Sequence, residues 1–463
     1  MRAVAPALRA LELATRPVHP ESAAALDRRW SELPARVRTR AQVLGRRMTG
    51  CEGTHGVFPR CNLACTPCYH SREANRVRVD GAHTVAEVDR QMAYLRRLRG
   101  PGQHAQLIGG EVTLLGPEDH ARALAMMHRH DRVPMSMSHG DFDYEYLERL
   151  ALDEEGRPRF RRLAFAGHFD SLMLGRRGIE RPTEESDLHP FRQRFCDMFG
   201  RLRREHRVRS VLAHNMTVTP GNLGQVAEVA RACSRMGFRL LSFQPAAFLG
   251  NPSRWRDDYR ALSSDDVWAE IERGLGTRLP HRLVQVGDER CNRTAYGLLV
   301  GDRWVAVADE RVPADHEARD AFMRVFGGVD LTGRRTVVTV RVLRTLVRHA
   351  ATLPVGIRWA LRFARRAGTL RLLRHGAHPL TLVVHSFMDA ETVRPAWEAL
   401  QRGERSKDPA VRASQERLEA CSYAMAHPDS DMLVPACVQH AVLDAEANVR
   451  LARRLPRSAP TRA

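Results

Sequence analysis

Lysine is almost absent from this chain of 463 residues. Lys407 is its only lysine, so nearly all of the 73 basic residues are arginines, and the formal net charge is +19. Such a bias is typical of a GC-rich coding sequence, in which arginine replaces lysine wherever a positive surface residue is tolerated. The charge is compatible with nucleic-acid binding but does not by itself indicate it.

Aromatic residues and long apolar runs are also scarce. Aromatics make up 6% of the chain and are scattered, whereas binding of single-stranded nucleic acid relies on aromatic side chains that stack on bases. We therefore expect no nucleic-acid partner. No run of about eighteen apolar residues occurs, which argues against a membrane-spanning helix. The N-terminal residues carry Glu12 and lack a sustained apolar stretch, so we expect a cytoplasmic protein.

The chain exceeds the usual size of one domain, so two domains are expected. Residues 1–49, rich in Ala, Leu and Arg, predict an N-terminal helical segment. Over residues 50–275, short apolar runs alternate with amphipathic helices, as in parallel strands joined by crossovers. Residues 276–463 predict a smaller C-terminal α+β domain, with a strand at Leu380–His385 followed by a hairpin.

The region 50–275 predicts a partial (β/α)₆ barrel of the TIM type. A capping box at Thr84 predicts the start of the first crossover helix, and another helix is expected over Ser264–Leu275. In such barrels the chemistry sits at the C-terminal ends of the strands. The six predicted strands are Cys51–Phe58, Ala105–Ile108, Val133–Met137, Leu163–Ala166, Val211–Val218 and Arg239–Phe243.

Clustered cysteines are the strongest chemical signal in the sequence. In a reducing compartment they are more often metal ligands than disulfides. Cys61, Cys65 and Cys68 have the spacing C-x3-C-x2-C. Three thiolates on one short loop can ligate three irons of a cubane [4Fe–4S] cluster and leave the fourth iron open. A structural zinc site would instead require four closed ligands.

The cysteine segment resembles the signature of the radical S-adenosylmethionine (SAM) superfamily. Gly109-Gly110-Glu111, directly after the second predicted strand, resembles that family's GGE motif. The resemblance implies that SAM chelates the open iron and that an electron from the cluster splits its C5′–S bond. The resulting 5′-deoxyadenosyl radical would abstract hydrogen from an unactivated carbon. The chain departs from the family pattern at Pro67, where many members have an aromatic residue, and at Val112, where proline is common.

Several polar residues at the strand ends are candidate contacts of SAM or substrate. The glycines of the GGE segment allow a ligand to approach the backbone, and the Glu111 carboxylate can accept hydrogen bonds from an ammonium group. By the resemblance, Asn215 and Gln244 touch the ribose or carboxylate of SAM, although they could equally satisfy the barrel interior. His168 and Asp170 are candidate substrate contacts. The catalytic groups are unknown, because the radical comes from SAM and the substrate is unidentified.

A second group of cysteines lies towards the C-terminus. Residues 421–427 and 431–437 predict two strands around a three-residue turn, a register that places two of these cysteines opposite each other. The hairpin and His385–Ala390 resemble radical SAM enzymes with extra C-terminal clusters, the tetraether-lipid synthases and pterin-precursor methylases. Thiols buried as small apolar groups are the alternative. The candidate ligands of this auxiliary Fe–S cluster are Cys291, Cys421 and Cys437.

Residues Arg341–Arg374 mix apolar side chains with many arginines. Such a basic amphipathic stretch can lie on anionic lipid as a peripheral membrane contact. It can equally pack one face on the protein and expose its arginines to water. The lipid interpretation would agree with a lipid substrate.

Together these patterns predict a radical SAM enzyme that functionalises an unactivated C–H bond. Its substrate would be a small molecule or a lipid, with a lipid or a cofactor precursor as the open choices. Peptide modification is also open but is disfavoured, because the C-terminal cysteines do not form a dense array. A protein such as flavodoxin or ferredoxin would supply the electrons. The alternative is an Fe–S electron-transfer or sensor protein without SAM turnover, which would not need Gly109–Glu111.

Overall fold

The computed structural model of the protein describes residues 12–250 and 255–457. The first eleven residues of the predicted N-terminal segment lie outside this range. The strands, in chain order, are β1 (Cys51–Gly53), β2 (Ala64–Cys65), β3 (Gln103–Leu107), β4 (Arg132–Ser138), β5 (Arg162–His168), β6 (Met173–Leu174), β7 (Arg209–Val218), β8 (Leu240–Pro245), β9 (Asn292–Val300), β10 (Arg303–Ala306), β11 (His378–His385), β12 (Tyr423–His427) and β13 (Met432–Pro435).

Eleven of these strands form one sheet, in the order β10-β9-β11-β8-β7-β5-β4-β3-β1-β12-β13. All neighbours from β12 to β11 are parallel, whereas β9, β10 and β13 join antiparallel at the two edges. The six predicted barrel strands correspond to β1, β3, β4, β5, β7 and β8, which lie side by side in chain order. The α/β class and the partial barrel are therefore confirmed.

Helices connect the parallel strands and follow them. They are α1 (Pro20–Glu32), α2 (Gly81–Arg99), α3 (Pro117–Arg129), α4 (Tyr144–Ala151), α5 (His189–His206), α6 (Val226–Met236), α7 (Ser264–Leu275), α8 (Pro313–Phe326), α9 (Arg335–Arg348), α10 (Leu353–Ala367), α11 (Thr369–His375), α12 (Ala390–Gln401), α13 (Pro409–Glu419), α14 (Ala436–Val438) and α15 (Asp444–Arg454). Buried side chains of strands β3, β5, β7 and β8 and of helices α2 to α7 form one continuous core. Within the described residues, no helix has the length and apolar character needed to cross a bilayer.

Local capping chemistry sets the helix boundaries. Helix α2 begins at Gly81, one turn before the predicted start, because the Asp80 side chain accepts a hydrogen bond from the amide of His83. The hydroxyl of Thr84 donates instead to the backbone oxygens of Val57 and Asp80. Helix α7 has the predicted bounds, and Ser263 provides its capping box.

The first strand is shorter than predicted, covering three residues of the expected Cys51–Phe58. The last ladder bond is that of the Thr54 amide to the Gln106 oxygen at 3.1 Å, and the hydroxyl of Thr54 then pairs with the backbone of Ile108 in place of a strand bond. That hydroxyl donates to the Ile108 oxygen at 2.7 Å and accepts from its amide at 2.9 Å. The chain beyond Thr54 is thereby free to form the cysteine loop.

The strands after residue 275 extend the barrel sheet at both edges rather than forming a sheet of their own. Strand β11 pairs with β8, and β12 pairs with β1. The sheet curls so that its edges approach each other, and the Asn292 side-chain amide donates to the hydroxyl of Ser422 at 3.0 Å. The limits drawn at residues 50–275 and 276–463 remain a prediction, and hydrogen bonds of one sheet run across them.

A buried histidine makes stability depend on pH. The ring of His120 in α3 lies 3.0 Å from the Tyr146 hydroxyl and 2.8 Å from the Ser136 hydroxyl. Burial lowers its pKa from 6.5 to about 3. Between these values the unfolded chain binds a proton that the folded chain does not. The stabilisation is therefore complete above pH 6.5 and is lost as the pH falls towards 3.

We expect His120→Gln to flatten the pH dependence of the unfolding free energy by up to about 1.4 kcal/mol per pH unit between about pH 6 and pH 4. Urea unfolding at several pH values measures this slope. The same change at His375, an exposed position, serves as the control and should leave the slope unaltered. Equal slopes for the wild type and His120→Gln would mean that the buried ring is protonated in the folded chain.

Candidate functional site

The three clustered cysteines lie on the loop between β1 and α2, at the C-terminal end of the parallel strands. All three are half-buried. Cys65 is fixed by the two-stranded ribbon that β2 forms with β6, where it faces Met173. The amide of Cys61 donates to the side-chain oxygen of Asn75 at 3.1 Å, and the Leu63 amide donates to the sulfur of Cys61 at 3.4 Å. The structure thus places the three predicted ligands on one anchored loop.

The predicted glycine pair packs against the backbone that leads into this loop. The amide of Gly110 donates to the oxygen of Phe58 at 2.8 Å, and the amide of Glu111 donates to the oxygen of Arg60 at 2.9 Å. A Cβ atom at Gly110 would lie 2.1 Å from the Arg60 oxygen, and one at Gly109 would lie 2.6 Å from the Phe58 ring. In this structure the glycines therefore permit a close backbone approach within the protein itself.

Glu111 is buried and is the centre of a polar network. Its Oε1 accepts hydrogen bonds from the amide and hydroxyl of Thr113 and from the hydroxyl of Ser138, at 3.0, 2.6 and 2.8 Å. Its Oε2 accepts from the amide of His139 at 2.8 Å. The His139 ring donates to the side-chain oxygen of Asn62, next to Cys61, at 2.8 Å. The network links the ends of β3 and β4 to the cysteine loop.

Asn215 and Gln244 lie on β7 and β8, near the same rim. The hydroxyl of Tyr69, which follows the third cysteine, donates to the Gln244 side-chain oxygen at 2.5 Å. Asn215 is buried, and within residues 12–250 and 255–457 its amide group forms no side-chain hydrogen bond. The structure therefore connects Gln244 to the cysteine loop and leaves the Asn215 amide available, while the roles of both remain predictions.

His168 and Asp170 form a hydrogen-bonded pair at the end of β5. The His168 Nε2 donates to an Asp170 carboxylate oxygen at 2.6 Å, and the same carboxylate accepts from the amides of Thr217 and Leu172. Burial alone would raise the pKa of Asp170. The positive charge of His168 and these hydrogen bonds outweigh burial and hold the pKa below its usual range. An anionic carboxylate therefore orients a histidine ring that is partly open to solvent.

A second layer of residues around the cysteine loop was not predicted from the sequence. The His70 ring donates to the Gly109 oxygen at 2.6 Å, and its other nitrogen lies 3.6 Å from the carboxylate of Asp444. The ring of Tyr69 lies 4.9 Å from that of Phe387 and 5.7 Å from that of His440, measured between centroids. His440 belongs to a π-helix over Gln439–Leu443, and π-helical turns are frequent at functional sites.

The thiol of Cys61 is neutral in the free protein. Burial above all, together with the nearby charges of Glu111 and Cys68, raises its pKa to about 12, although the backbone amides of Leu63 and Asn62 lower it. A coordinating metal deprotonates a thiol outright. The surroundings of Cys61 therefore disfavour a thiolate in the free protein, and a bound metal would be needed to stabilise one.

The register predicted for the C-terminal hairpin is wrong by one residue. His427 pairs with Met432 rather than with Asp431, because the turn contains four residues and Asp431 adopts a left-handed conformation with φ of 49°. Cys437 consequently lies in the short helix α14, and Cys421 precedes β12. The two cysteines therefore do not form a cross-strand pair.

The three C-terminal cysteines are nevertheless close enough to influence one another. Burial raises the pKa of Cys437, and negative charge on Cys421 or Cys291 raises it further. The pKa of Cys291 is raised to about 11, because the effect of burial outweighs the lowering effect of Arg417. The Nε of Arg417 donates to the Cys291 sulfur at 3.2 Å and its Nη2 donates to the Ser386 oxygen at 3.1 Å. This half-buried arginine beside the thiols would offset the negative charge of thiolates.

The chain has little similarity to characterised proteins. No family model and no curated protein matches it. Among solved structures it is similar to native anSMEcpe with bound AdoMet and the Cp18Cys peptide, at a TM-score of 0.31 and 16% identity over 48% of this chain and 57% of that chain. For native anSMEcpe with bound AdoMet the TM-score is 0.32 and the identity 16%, over 49% of this chain and 62% of that one. The chain thus spans less than two thirds of these structures, and TM-scores this low support neither a shared fold nor a shared function.

The close approach at Gly110 can be tested with a single methyl group. We expect Gly110→Ala to displace the loop, to lower the unfolding free energy by about 1–3 kcal/mol and to accelerate alkylation of Cys61, Cys65 and Cys68. Mass spectrometry of the alkylated peptides measures this accessibility. Gly116→Ala is the matched control, since a Cβ atom there has no atom within 4 Å. Unchanged alkylation in Gly110→Ala would contradict the packing role.

Proposed function

We propose that the protein is a radical SAM enzyme that binds a [4Fe–4S] cluster through Cys61, Cys65 and Cys68. The observation that carries the proposal is the position of these thiols. They lie on one anchored loop, at the C-terminal ends of parallel strands, and the segment that leads into the loop is hydrogen-bonded to Gly110 and Glu111. In barrels of this type, that end of the strands carries the chemistry.

The residues present fit such a cluster. The donors are three thiols, the ligand type that Fe–S clusters use, and an amide N–H to the Cys61 sulfur is the kind of hydrogen bond that tunes cluster potentials. When bound, the cluster would supply the electron that cleaves SAM to methionine and a 5′-deoxyadenosyl radical.

The chain's own residues would bind and orient SAM. Tyr69 donates to the oxygen of Gln244, which leaves the Gln244 amide group to donate to a carboxylate or hydroxyl. The Asn215 amide is a second such donor. Oε2 of Glu111 accepts one hydrogen bond from the His139 amide and keeps acceptor capacity for an ammonium group. The rings of Tyr69 and Phe387 would limit access of water to the radical.

His168 and Asp170 are the substrate contacts that we propose. The ring of His168 is fixed by the carboxylate and remains partly exposed at the rim. A small molecule or a lipid whose polar group hydrogen-bonds this ring would place a carbon atom near the rim centre. A small electron-transfer protein such as flavodoxin or ferredoxin would reduce the cluster.

Anaerobic reconstitution tests the class of the enzyme. With iron, sulfide, dithionite and SAM, we expect the wild type to release 5′-deoxyadenosine, detected by chromatography, and Cys65→Ala to fall to background. Cys196→Ala is the control, because Cys196 lies buried in α5 away from the loop. A reconstituted cluster that yields no 5′-deoxyadenosine would favour the carrier or sensor function. Failure of the wild type to bind iron would refute the proposal.

We also propose that Cys291, Cys421 and Cys437 hold the auxiliary Fe–S cluster. Support comes from the electrostatic effect of Cys421 and Cys291 on the buried thiol of Cys437 and from the arginine that donates to Cys291. One cubane contains four irons, so two clusters require about eight irons per chain.

Iron analysis tests this second cluster. The double variant Cys421→Ala/Cys437→Ala should lose about four irons per chain relative to the wild type and retain the absorbance of the first cluster. Cys233→Ala, a buried cysteine in α6, should lose none. A wild type that never exceeds about four irons per chain would show that the three thiols are packing residues.

A further inference from the structure

One segment of the chain contains no acidic residue. Between residues 331 and 388 there are eleven arginines and neither aspartate nor glutamate. The segment includes helices α9, α10 and α11, and most of its arginines are exposed. The exposed ones are Arg334, Arg335, Arg344, Arg348, Arg358, Arg365, Arg371 and Arg374. Arg358 and Arg371 form ion pairs with Glu317 and Asp302. The other six form no ion pair within the described residues, so the outer surface of these helices carries a concentrated positive charge.

The same three helices also expose large apolar side chains. Val347 is 79% exposed, Leu370 is 84% exposed and Leu373 is 80% exposed. Leu343 and Val347 are four residues apart on α9, Ile357 and Leu361 four apart on α10, and Leu370 and Leu373 three apart on α11. Each helix therefore presents an apolar stripe to solvent. Isolated exposed leucines are ordinary, but a group of them beside concentrated charge indicates an interaction surface.

The opposite sides of these helices are fixed to the protein. Arg362 and Arg366 of α10 both form ion pairs with the buried carboxylate of Asp315. The indole N–H of Trp359 donates to the oxygen of Val307 at 2.8 Å. Because these contacts set the rotation of α10, its apolar stripe faces outward as part of the folded structure.

A large apolar cavity lies beneath the helices. Its volume is about 1070 Å³, and Leu346 and Trp359 contribute to its wall. The cavity reaches Gln103, the first residue of β3, so it lies at the opposite end of the strands from the cysteine loop. Three partly exposed side chains line it: Phe322, Leu331 and Leu353. Helices α9 and α10 thus separate an apolar interior from an apolar and basic exterior.

We infer that the outer surface of α9–α11 docks on the face of an anionic phospholipid bilayer. The exposed arginines complement the lipid phosphates, and the leucines of α11 enter the boundary between headgroups and acyl chains. Nucleic acid would use the same arginines but would leave the leucines without a partner. The inference is independent of the chemistry proposed at the other end of the strands.

Vesicle flotation tests the docking surface with the full-length protein. We expect the wild type to float with vesicles of equal parts phosphatidylglycerol and phosphatidylcholine, and to remain unbound with phosphatidylcholine alone. High salt should release it, because ions screen exposed charges. Equal binding to both kinds of vesicle, or no binding to either, would overturn the inference.

Two variants separate the charged and the apolar contributions. Each basic residue near an anionic surface contributes about 1 kcal/mol, roughly fivefold in partition, so Arg348→Gln/Arg374→Gln should weaken binding about 25-fold. Leu370→Ser/Leu373→Ser should weaken it about tenfold or more, since burial of a leucine contributes about 1.5–3 kcal/mol when complete. Unchanged thermal unfolding would confirm that these exposed positions leave the fold intact.

Matched controls make the outcomes decisive. Arg203→Gln/Arg204→Gln removes the same charge from exposed positions on α5 and should bind vesicles as the wild type does. An equal loss of vesicle binding in this control would show that only the net charge of the protein matters, and it would overturn the inference. The inference would also be overturned if the protein formed a dimer that only the leucine variant dissociates, because a second copy would then cover the surface. DNA binding that only the arginine variant weakens would overturn it as well. Cys65→Ala should float normally, so failure of the proposed radical chemistry would leave this test unaffected.

Discussion

The cysteine loop at the C-terminal rim of the sheet depends on one direct contact between two backbone segments. The chain that enters the cysteine loop lies directly against Gly109 and Gly110, and no side chain fits between them. Two amide-to-carbonyl hydrogen bonds close the contact. The cysteines are thereby positioned by the end of β3, an element of the continuous core, rather than by a loop alone. Such support is what a site needs if its groups are to stay within a fraction of an ångström of working geometry.

A buried carboxyl group, that of Glu111, also holds the rim together. An ionised side chain in an apolar interior is costly unless hydrogen bonds replace its water. Glu111 receives four such bonds from Thr113, Ser138 and His139. Because a carboxylate only accepts, every donor around it must point inward, and this holds the ends of β3 and β4 in one arrangement. The same carboxyl group is thereby held in a fixed position beside the cysteine loop.

Much of the fold could be predicted from the sequence, because apolar periodicity and capping are local signals. The six barrel strands and helix α7 follow from them. The early departure of the chain from β1 could not, since it depends on Thr54 meeting Ile108, 54 residues away. The hairpin register failed for a related reason: it depends on the left-handed conformation of Asp431, which composition does not specify. The contact of Tyr69 with Gln244 likewise exists only after the barrel has closed.

The later part of the chain completes the barrel rather than standing beside it. Strands β11 and β12 continue the parallel sheet at its two edges, and the side chains of Asn292 and Ser422 meet where those edges approach. Phe387, which follows β11, contacts the ring of Tyr69 on the cysteine loop. The loop is therefore enclosed by residues from both halves of the sequence. Any ligand bound there would contact residues of the C-terminal strands as well as the cysteine loop. The same strands that close the barrel therefore also determine which substrate fits.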